Sequence, residues 1–302
     1  MTTAKNQHYV PKFYLKGFCD NKTKLAVYDR KKMCIYKKQN VRNFAAEKGC
    51  YDIGKEELES VLKQWTEVFP SFKKEIDWDD TKYIEKFLGR LETDVAKIFA
   101  EIKNNPFKLY EEKSKILIAI FLYLLGYRNA NYRESMSQSY NQLMDQMKER
   151  AYNDEKCRIV AKELGMSEGV KQYQFNQLFD MVKLMKFGQA LIQDYSWYYG
   201  VVDGDLGLLT TDNPALNIIL GLCDFCFPLT PRFALIFRSR YPESPLISPD
   251  LPQDDKISLS KHGVYNYNNI NLRPLNPFRF VFGDINDLER QIDKRLIKKF
   301  RE

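Results

Sequence analysis

The sequence predicts an α+β protein, and three observations carry the prediction. Short β-type runs bounded by turn residues occupy both ends of the chain, whereas its middle places apolar residues at helical spacing. The period changes near residue 56 and again near residue 200. No internal repeat or low-complexity linker separates the parts. The expectation is one domain over 1–302, made of four parts. These are an N-terminal motif and hairpin (1–55), a helical layer (56–200), a mixed or antiparallel C-terminal sheet region (201–283) and a closing helix (284–302). The N-terminal hairpin is expected to join the C-terminal sheet, with the helical layer inserted between them.

The chain opens on His8-Tyr9-Val10-Pro11-Lys12-Phe13-Tyr14-Leu15-Lys16-Gly17-Phe18. Chain ends are ordinarily frayed and polar, so a stretch with four aromatics is expected to pack into the fold and hold His8 in place. Lys24–Asp29 and Cys34–Lys37 read as two short strands joined by the basic turn Asp29-Arg30-Lys31-Lys32. Residues Asn43–Tyr51, with Glu47 among them, read as a loop or short turn.

Leu58, Val61, Leu62, Trp65 and Phe69 then fall at helical spacing, and Pro70 ends the segment. A second helix follows Asp79-Asp80-Thr81 and carries its stripe from Ile84 to Ile102, stopping at Asn104-Asn105-Pro106. A third runs from about Glu111 to Arg133 and contains ILIAIFLYLLGY. Being apolar on nearly every side, it is expected to be the central helix of the layer. Weaker stripes follow at Leu143–Met147 and Ile159–Leu164, and from Val170 through Met185 toward Leu191 and Trp197. The layer should hold five to seven helices.

Beyond Gly200, β-type runs appear at Leu206–Thr210, Ala215–Leu220, Arg232–Phe237 and Phe278–Phe282, punctuated by Asp203-Gly204, Asp212-Asn213-Pro214 and several prolines. An amphipathic helix over Ile285–Phe300, with a basic tail, is expected to close the chain; its cations complement the helix dipole.

Lys+Arg exceeds Asp+Glu by 47 − 40 = +7 in 302 residues. This permits an anionic ligand or a nucleic acid without the basic footprint of a dedicated DNA binder. The longest apolar run is shorter than the about 20 residues a membrane span needs, and no secretory signal pattern opens the chain. The expectation is a cytoplasmic protein with no membrane partner. The six cysteines are too scattered for a disulfide framework. Cys223-Asp224-Phe225-Cys226 has metal-knuckle spacing but no second half, and its surroundings read as a buried strand. With two histidines in all, a His-rich zinc site is excluded, and the chain lacks the glycine-rich motifs of nucleotide cofactors. An Asp/Glu site for Mg²⁺ or Mn²⁺ stays open.

HYVPKFYLKGF, taken with Leu208-Leu209-Thr210-Thr211-Asp212-Asn213-Pro214 and Pro228-Leu229-Thr230-Pro231-Arg232-Phe233-Ala234-Leu235, resembles the HYVP-motif family catalogued as domain of unknown function 4238. The resemblance extends to Tyr51 onward and to Tyr127-Arg128-Asn129, and so over most of the chain. It implies that His8, Tyr9, Pro11, Asp212, Asn213 and Pro214 are hallmark positions, and it implies no activity.

The residues themselves allow two readings. In the first, the protein is a hydrolase of phosphodiester or other anionic substrates, nuclease-like. His8 is then general base or metal ligand, Asp212 is base or ligand, and Asn213 orients the substrate. Tyr9 offers a hydroxyl, and Arg128 and Arg232 stabilise charge. In the second, the same residues are structural, within a non-enzymatic binding or interaction module such as one in a bacterial defence or stress system. His8 is then a hydrogen-bonded core residue and Asp212-Asn213-Pro214 a turn. Arg128 becomes half of an ion pair, with Asp212 one candidate partner, and Arg232 a solvated strand end. Glu47 is a further candidate for pairing with Asp212, and His262 is expected at a surface turn. The two readings part on whether His8 meets Asp212 in an open polar cleft.

Overall fold

The computed structural model describes residues 6–20, 23–149, 153–163, 170–215, 224–240, 256–272, 278–292 and 299–301. The structure is mixed α and β, and its main sheet is sewn from both ends of the chain. Strands β2 (Lys24–Asp29) and β3 (Cys34–Asn40) form the expected hairpin. β2 pairs antiparallel with β10 (Phe280–Gly283), and β10 in turn with β6 (Thr210–Thr211). β11 (Lys299–Arg301) lies parallel to β3, giving the order β11-β3-β2-β10-β6. The hairpin thus joins the C-terminal sheet as expected, with the helices inserted between them.

A second sheet has the order β7-β8-β5-β9, built from β5 (Tyr195–Val202), β7 (Asp224–Thr230), β8 (Phe233–Ser239) and β9 (Lys256–Leu259). A two-stranded pair, β1 (Asn6–His8) with β4 (Ala46–Lys48), ties the N-terminus down. The stretch holding Glu47, expected as a loop, therefore contains a short strand. The aromatic opening continues into α1 (Lys12–Lys16), and Tyr9, Val10, Tyr14, Leu15 and Phe18 are all buried.

The layer consists of α2 (Lys55–Val68), α3 (Tyr83–Asn104), α4 (Glu112–Tyr127), α5 (Ala130–Glu149), α6 (Asp154–Glu163), α7 (Val170–Leu178) and α8 (Met181–Gln193). α4 is the expected central helix, with Ile118, Phe121, Leu122, Tyr123 and Leu125 at most 1% exposed. Burial of a Leu or Phe side chain stabilises by about 1.5–3 kcal/mol, so α4 anchors the main core it shares with α3, α8 and the two large sheets. Among the described residues, no helix is long and apolar enough to cross a membrane.

Other features differ from the expectation. The helix expected to reach Arg133 stops at Tyr127 and restarts at Ala130, because the Arg128 and Asn129 side chains are held by long-range partners on either side of the break. The segment from Val170 to Trp197 is two helices and a strand. Asp180 caps α8 by accepting from Lys183 N, and Trp197 lies in β5 with its indole N–H on Leu191 O. Leu206–Leu209 is not a strand, and β6 holds only Thr210 and Thr211. His262, expected at a turn, is exposed in the first turn of α9 (Lys261–Asn271), which Ser260 caps. The closing helix, α10 (Ile285–Gln291), is shorter than expected, and Lys299–Arg301 is a strand. The run expected at Ala215–Leu220 lies outside the described residues after Ala215, as does Cys223. Cys226 is buried in β7, as expected for a strand cysteine.

Candidate functional site

Two distant stretches of the sequence meet around Asp212. Tyr9 N–H and Val10 N–H both donate to Ala45 O (3.0 and 3.4 Å), which turns the chain as it leaves β1. Ala45 takes a positive φ of 52°, a conformation L-residues seldom adopt. The Tyr9 hydroxyl then donates to Asp212 Oδ2 at 3.3 Å, and the Tyr14 hydroxyl shares a 2.7 Å hydrogen bond with Thr210 Oγ1. Two tyrosines of the opening motif therefore fasten it to the Thr210–Asp212 segment.

Asp212 is 1% exposed. Its Oδ1 accepts from the Arg279 and Phe280 amides (2.9 and 3.2 Å), and its backbone carbonyl accepts from Asn129 Nδ2 at 2.7 Å. Burial pushes its pKa up to about 6, outweighing the amide and Tyr9 hydrogen bonds that pull it down. Burial also raises the Tyr9 pKa, with the Asp212 charge second, so Tyr9 stays a neutral hydroxyl. Asn213 is buried, and its N–H donates to Thr211 Oγ1 at 3.1 Å, which shapes the turn.

Tyr9 and Asp212 line a cleft of about 810 Å³. One wall is basic: Arg30, Lys31 and Lys32 from the β2–β3 turn, and Arg279 at the start of β10. These cations rest on aromatic rings, Arg30 over Phe278, Lys32 over Tyr36 and Arg279 over Phe280, at 4.9, 5.9 and 4.6 Å from the ring centres. Arg279 also pairs with the buried Asp29 at 3.1 Å. Glu47 and Glu134 also line the cleft. Glu47 does not pair with Asp212; it pairs with Arg133.

His8 belongs to a different cleft. His8 is the last residue of β1 and Tyr9 lies in the turn that follows, and there the two part company. His8 lines a cleft of about 410 Å³ with Lys12, Tyr51, Glu85 and Glu92. Its Nε2 lies 3.4 Å from Val41 O, and its carbonyl accepts from the Tyr51 hydroxyl. Burial, followed by the Lys12 charge, lowers its pKa to about 4, so it is neutral near pH 7.

Arg128 is fully enclosed and pairs with Glu92 at 2.8 Å rather than with Asp212, because the α4 end turns its side chain toward α3. Arg232 is exposed and reaches Gly204 O on a third cleft, with Asp205, Asp287 and Arg290, apart from the Asp212 group. Among the described residues, no three His, Cys, Asp or Glu side chains gather as a metal-binding group.

Sequence reasoning thus missed the Arg279 wall, the Asn129 tether and the Phe280 amide. The signal for the first was a cation set among aromatics in Phe278-Arg279-Phe280. Backbone amides and a tether to a carbonyl leave no trace in side-chain identity.

Comparison with known proteins gives one match. The family model described as "Protein of unknown function (DUF4238)" covers residues 6–300, nearly the whole chain. No curated protein and no solved structure matches significantly.

Proposed function

For a chain that belongs to the DUF4238 family, we propose that the Tyr9–Asp212 cleft binds an anionic phosphoester and hydrolyses it, with Asp212 as general base. The observation that carries this reading is a buried carboxyl of pKa about 6 on the floor of a cleft with a basic wall. A general base works best when its pKa lies near the working pH.

In the proposed step, an attacking water bonds to phosphorus while its proton passes to the Tyr9 oxygen and the Tyr9 proton passes to Asp212 Oδ2. The phosphorus–oxygen ester bond breaks, and the leaving oxygen takes its proton from solvent. Arg279, Arg30, Lys31 and Lys32 hold the phosphoryl oxygens and offset their developing charge. Tyr9 suits the relay because its raised pKa keeps the proton on the hydroxyl between turnovers. His8 has no part in this step, since it lines the other cleft.

One observation favours a second reading, binding without turnover. Both Asp212 oxygens are already engaged, Oδ1 by two amides and Oδ2 by Tyr9, as in a carboxyl that locks a fold. A phosphodiesterase and nuclease screen with and without Mg²⁺ or Mn²⁺ separates the two. Wild-type protein is expected to turn over bis-p-nitrophenyl phosphate. Asp212→Asn and Tyr9→Phe should each lose about 100-fold or more in kcat while staying folded at the assay temperature, although Tyr9→Phe gives up a buried hydrogen bond and should melt lower. A folded wild type with no turnover on any substrate, yet with saturable phosphoester binding, would replace hydrolysis by binding.

A further inference from the structure

We infer that the His8 cleft is an oxyanion-binding site, taking a phosphate or carboxylate group between Lys12 and the buried guanidinium of Arg128. This inference stands apart from the hydrolase reading, because it concerns the other cleft and other residues.

Among the described residues, Arg128 is the largest charged side chain that the protein encloses, at 2% exposure. Only Nη1 is partnered, by Glu92 Oε1; Nε and Nη2 are buried without an acceptor among the described residues. A buried donor left unpaired costs about 1–3 kcal/mol, and more when charged, so a guanidinium in this state is poised for a further acceptor. It lies behind the cleft wall: its partner Glu92 lines the cleft, and its field acts on His8 and Tyr51, which line it too.

The cleft has room for a small group. At Gly89, on the wall supplied by α3, an added Cβ would meet nothing within 4 Å. Of the two carboxylates there, Glu85 is engaged by the Gln7 amide at 2.9 Å. Glu92 holds Arg128 through one oxygen only, and its side chain is 24% exposed at the cleft wall. An entering oxyanion turns Glu92 toward solvent and takes the guanidinium through two parallel N–H···O bonds, the arrangement for which arginine is shaped. Lys12, exposed at the mouth, closes over the outer oxygens.

His8 reports on the site. The groups facing it are Lys12, Arg128, Tyr51, Glu85, Glu92 and the Val41 carbonyl. Lys12 and Arg128 both oppose its protonation. A bound oxyanion offsets those charges and raises the His8 pKa. The chain has two histidines, so NMR of the imidazole ring signals resolves His8 against the exposed His262 as internal reference.

The test is a titration of the full chain with inorganic phosphate and, separately, acetate, at constant ionic strength. The His8 signals should move saturably while those of His262 stay still, and the His8 pKa should rise from about 4 by a unit or more. Tighter response to phosphate assigns the site to phosphoryl groups, and tighter response to acetate assigns it to carboxylates. Lys12→Ala, at an exposed position, should weaken binding about tenfold, and Arg128→Lys by more, since it keeps the charge but loses the fork. If Arg128→Lys fails to fold, wild type and Lys12→Ala decide alone. His8 signals that do not move, that move in step with His262, or that saturate at the same concentration in Lys12→Ala would overturn the inference.

Discussion

Asp212→Asn tests the electrostatics on which the proposed chemistry rests. Two effects compete at this carboxyl. Two backbone amides and a tyrosine hydroxyl favour the ionised form, and hydrogen bonds of this kind can hold a carboxylate pKa below about 2. Near-complete burial favours the neutral form, and it prevails, lifting the pKa from 3.8 to about 6. At 1.36 kcal/mol per unit, that difference amounts to about 3 kcal/mol. The sign follows from proton counting. Between the two pKa values the folded state binds more protons than the unfolded state, so stability falls as pH rises through this range. The contribution of neutral Asp212 is fully present below about pH 4 and gone above about pH 7. Asparagine does not titrate and keeps an oxygen for the two amides. Urea unfolding of wild type and Asp212→Asn across this range isolates the effect. Relative to the variant, wild type should lose about 3 kcal/mol between the acid and neutral ends. A difference that stays flat would mean the hydrogen bonds cancel burial, and one that runs in wild type's favour as pH rises would mean they outweigh it. In either case Asp212 would be a poor base near neutrality, and the general-base proposal would fall.

Two further predictions concern buried contacts, one beside the site and one away from it. Tyr14→Phe removes the hydroxyl shared with Thr210 in a fully enclosed setting and should cost about 1–3 kcal/mol by thermal or urea melting; an unchanged melt would mean that this fastening is idle. Gly207→Ala would place a methyl carbon 2.2 Å from Asp287 Oδ2, while Asp287 Oδ1 accepts the Gly207 amide. Pushing that buried carboxylate off its partner should destabilise by about 1–3 kcal/mol, and a variant as stable as wild type would show that α10 shifts freely.

Much of the fold was legible because period and composition agreed locally. Two short β-type runs flanked a basic turn in the hairpin, and α4 was too apolar to lie anywhere but the centre. The misses share a physical cause, which is that tertiary partners decided them. The local signals at Arg128-Asn129 are weak, an asparagine directly before α5 and Gly126 upstream with no proline, and partners 36 and 83 residues away hold the break. Tyr195–Val202 follows directly on an amphipathic helix, and its aromatics continue an apolar pattern that suits either structure. The pairing of the opening motif with the Asp212 turn was legible only through the family that the two stretches together resemble. Which residue makes the contact was not. The histidine pKa favours His8, whereas the turn that Ala45 O makes just past β1 gives the contact to Tyr9.

That division is matched across the core. His8 and Tyr9 are adjacent, yet they face separate clefts. Arg128 and Asn129 are adjacent at the end of α4 and divide in the same sense. Arg128 reaches Glu92 in the His8 cleft, and Asn129 holds the Asp212 carbonyl at the floor of the other. Arg133, one turn into α5, links the two by donating to Arg128 O and pairing with Glu47 on the Tyr9 side. A helix that ran unbroken through residue 128 would have to turn one of these side chains away from its partner, because successive helical residues point about 100° apart rather than to opposite faces. The break between α4 and α5 is therefore the condition for two adjacent side chains to serve two sites. A ligand that turns Glu92 away from Arg128 would act on the segment that also tethers Asp212.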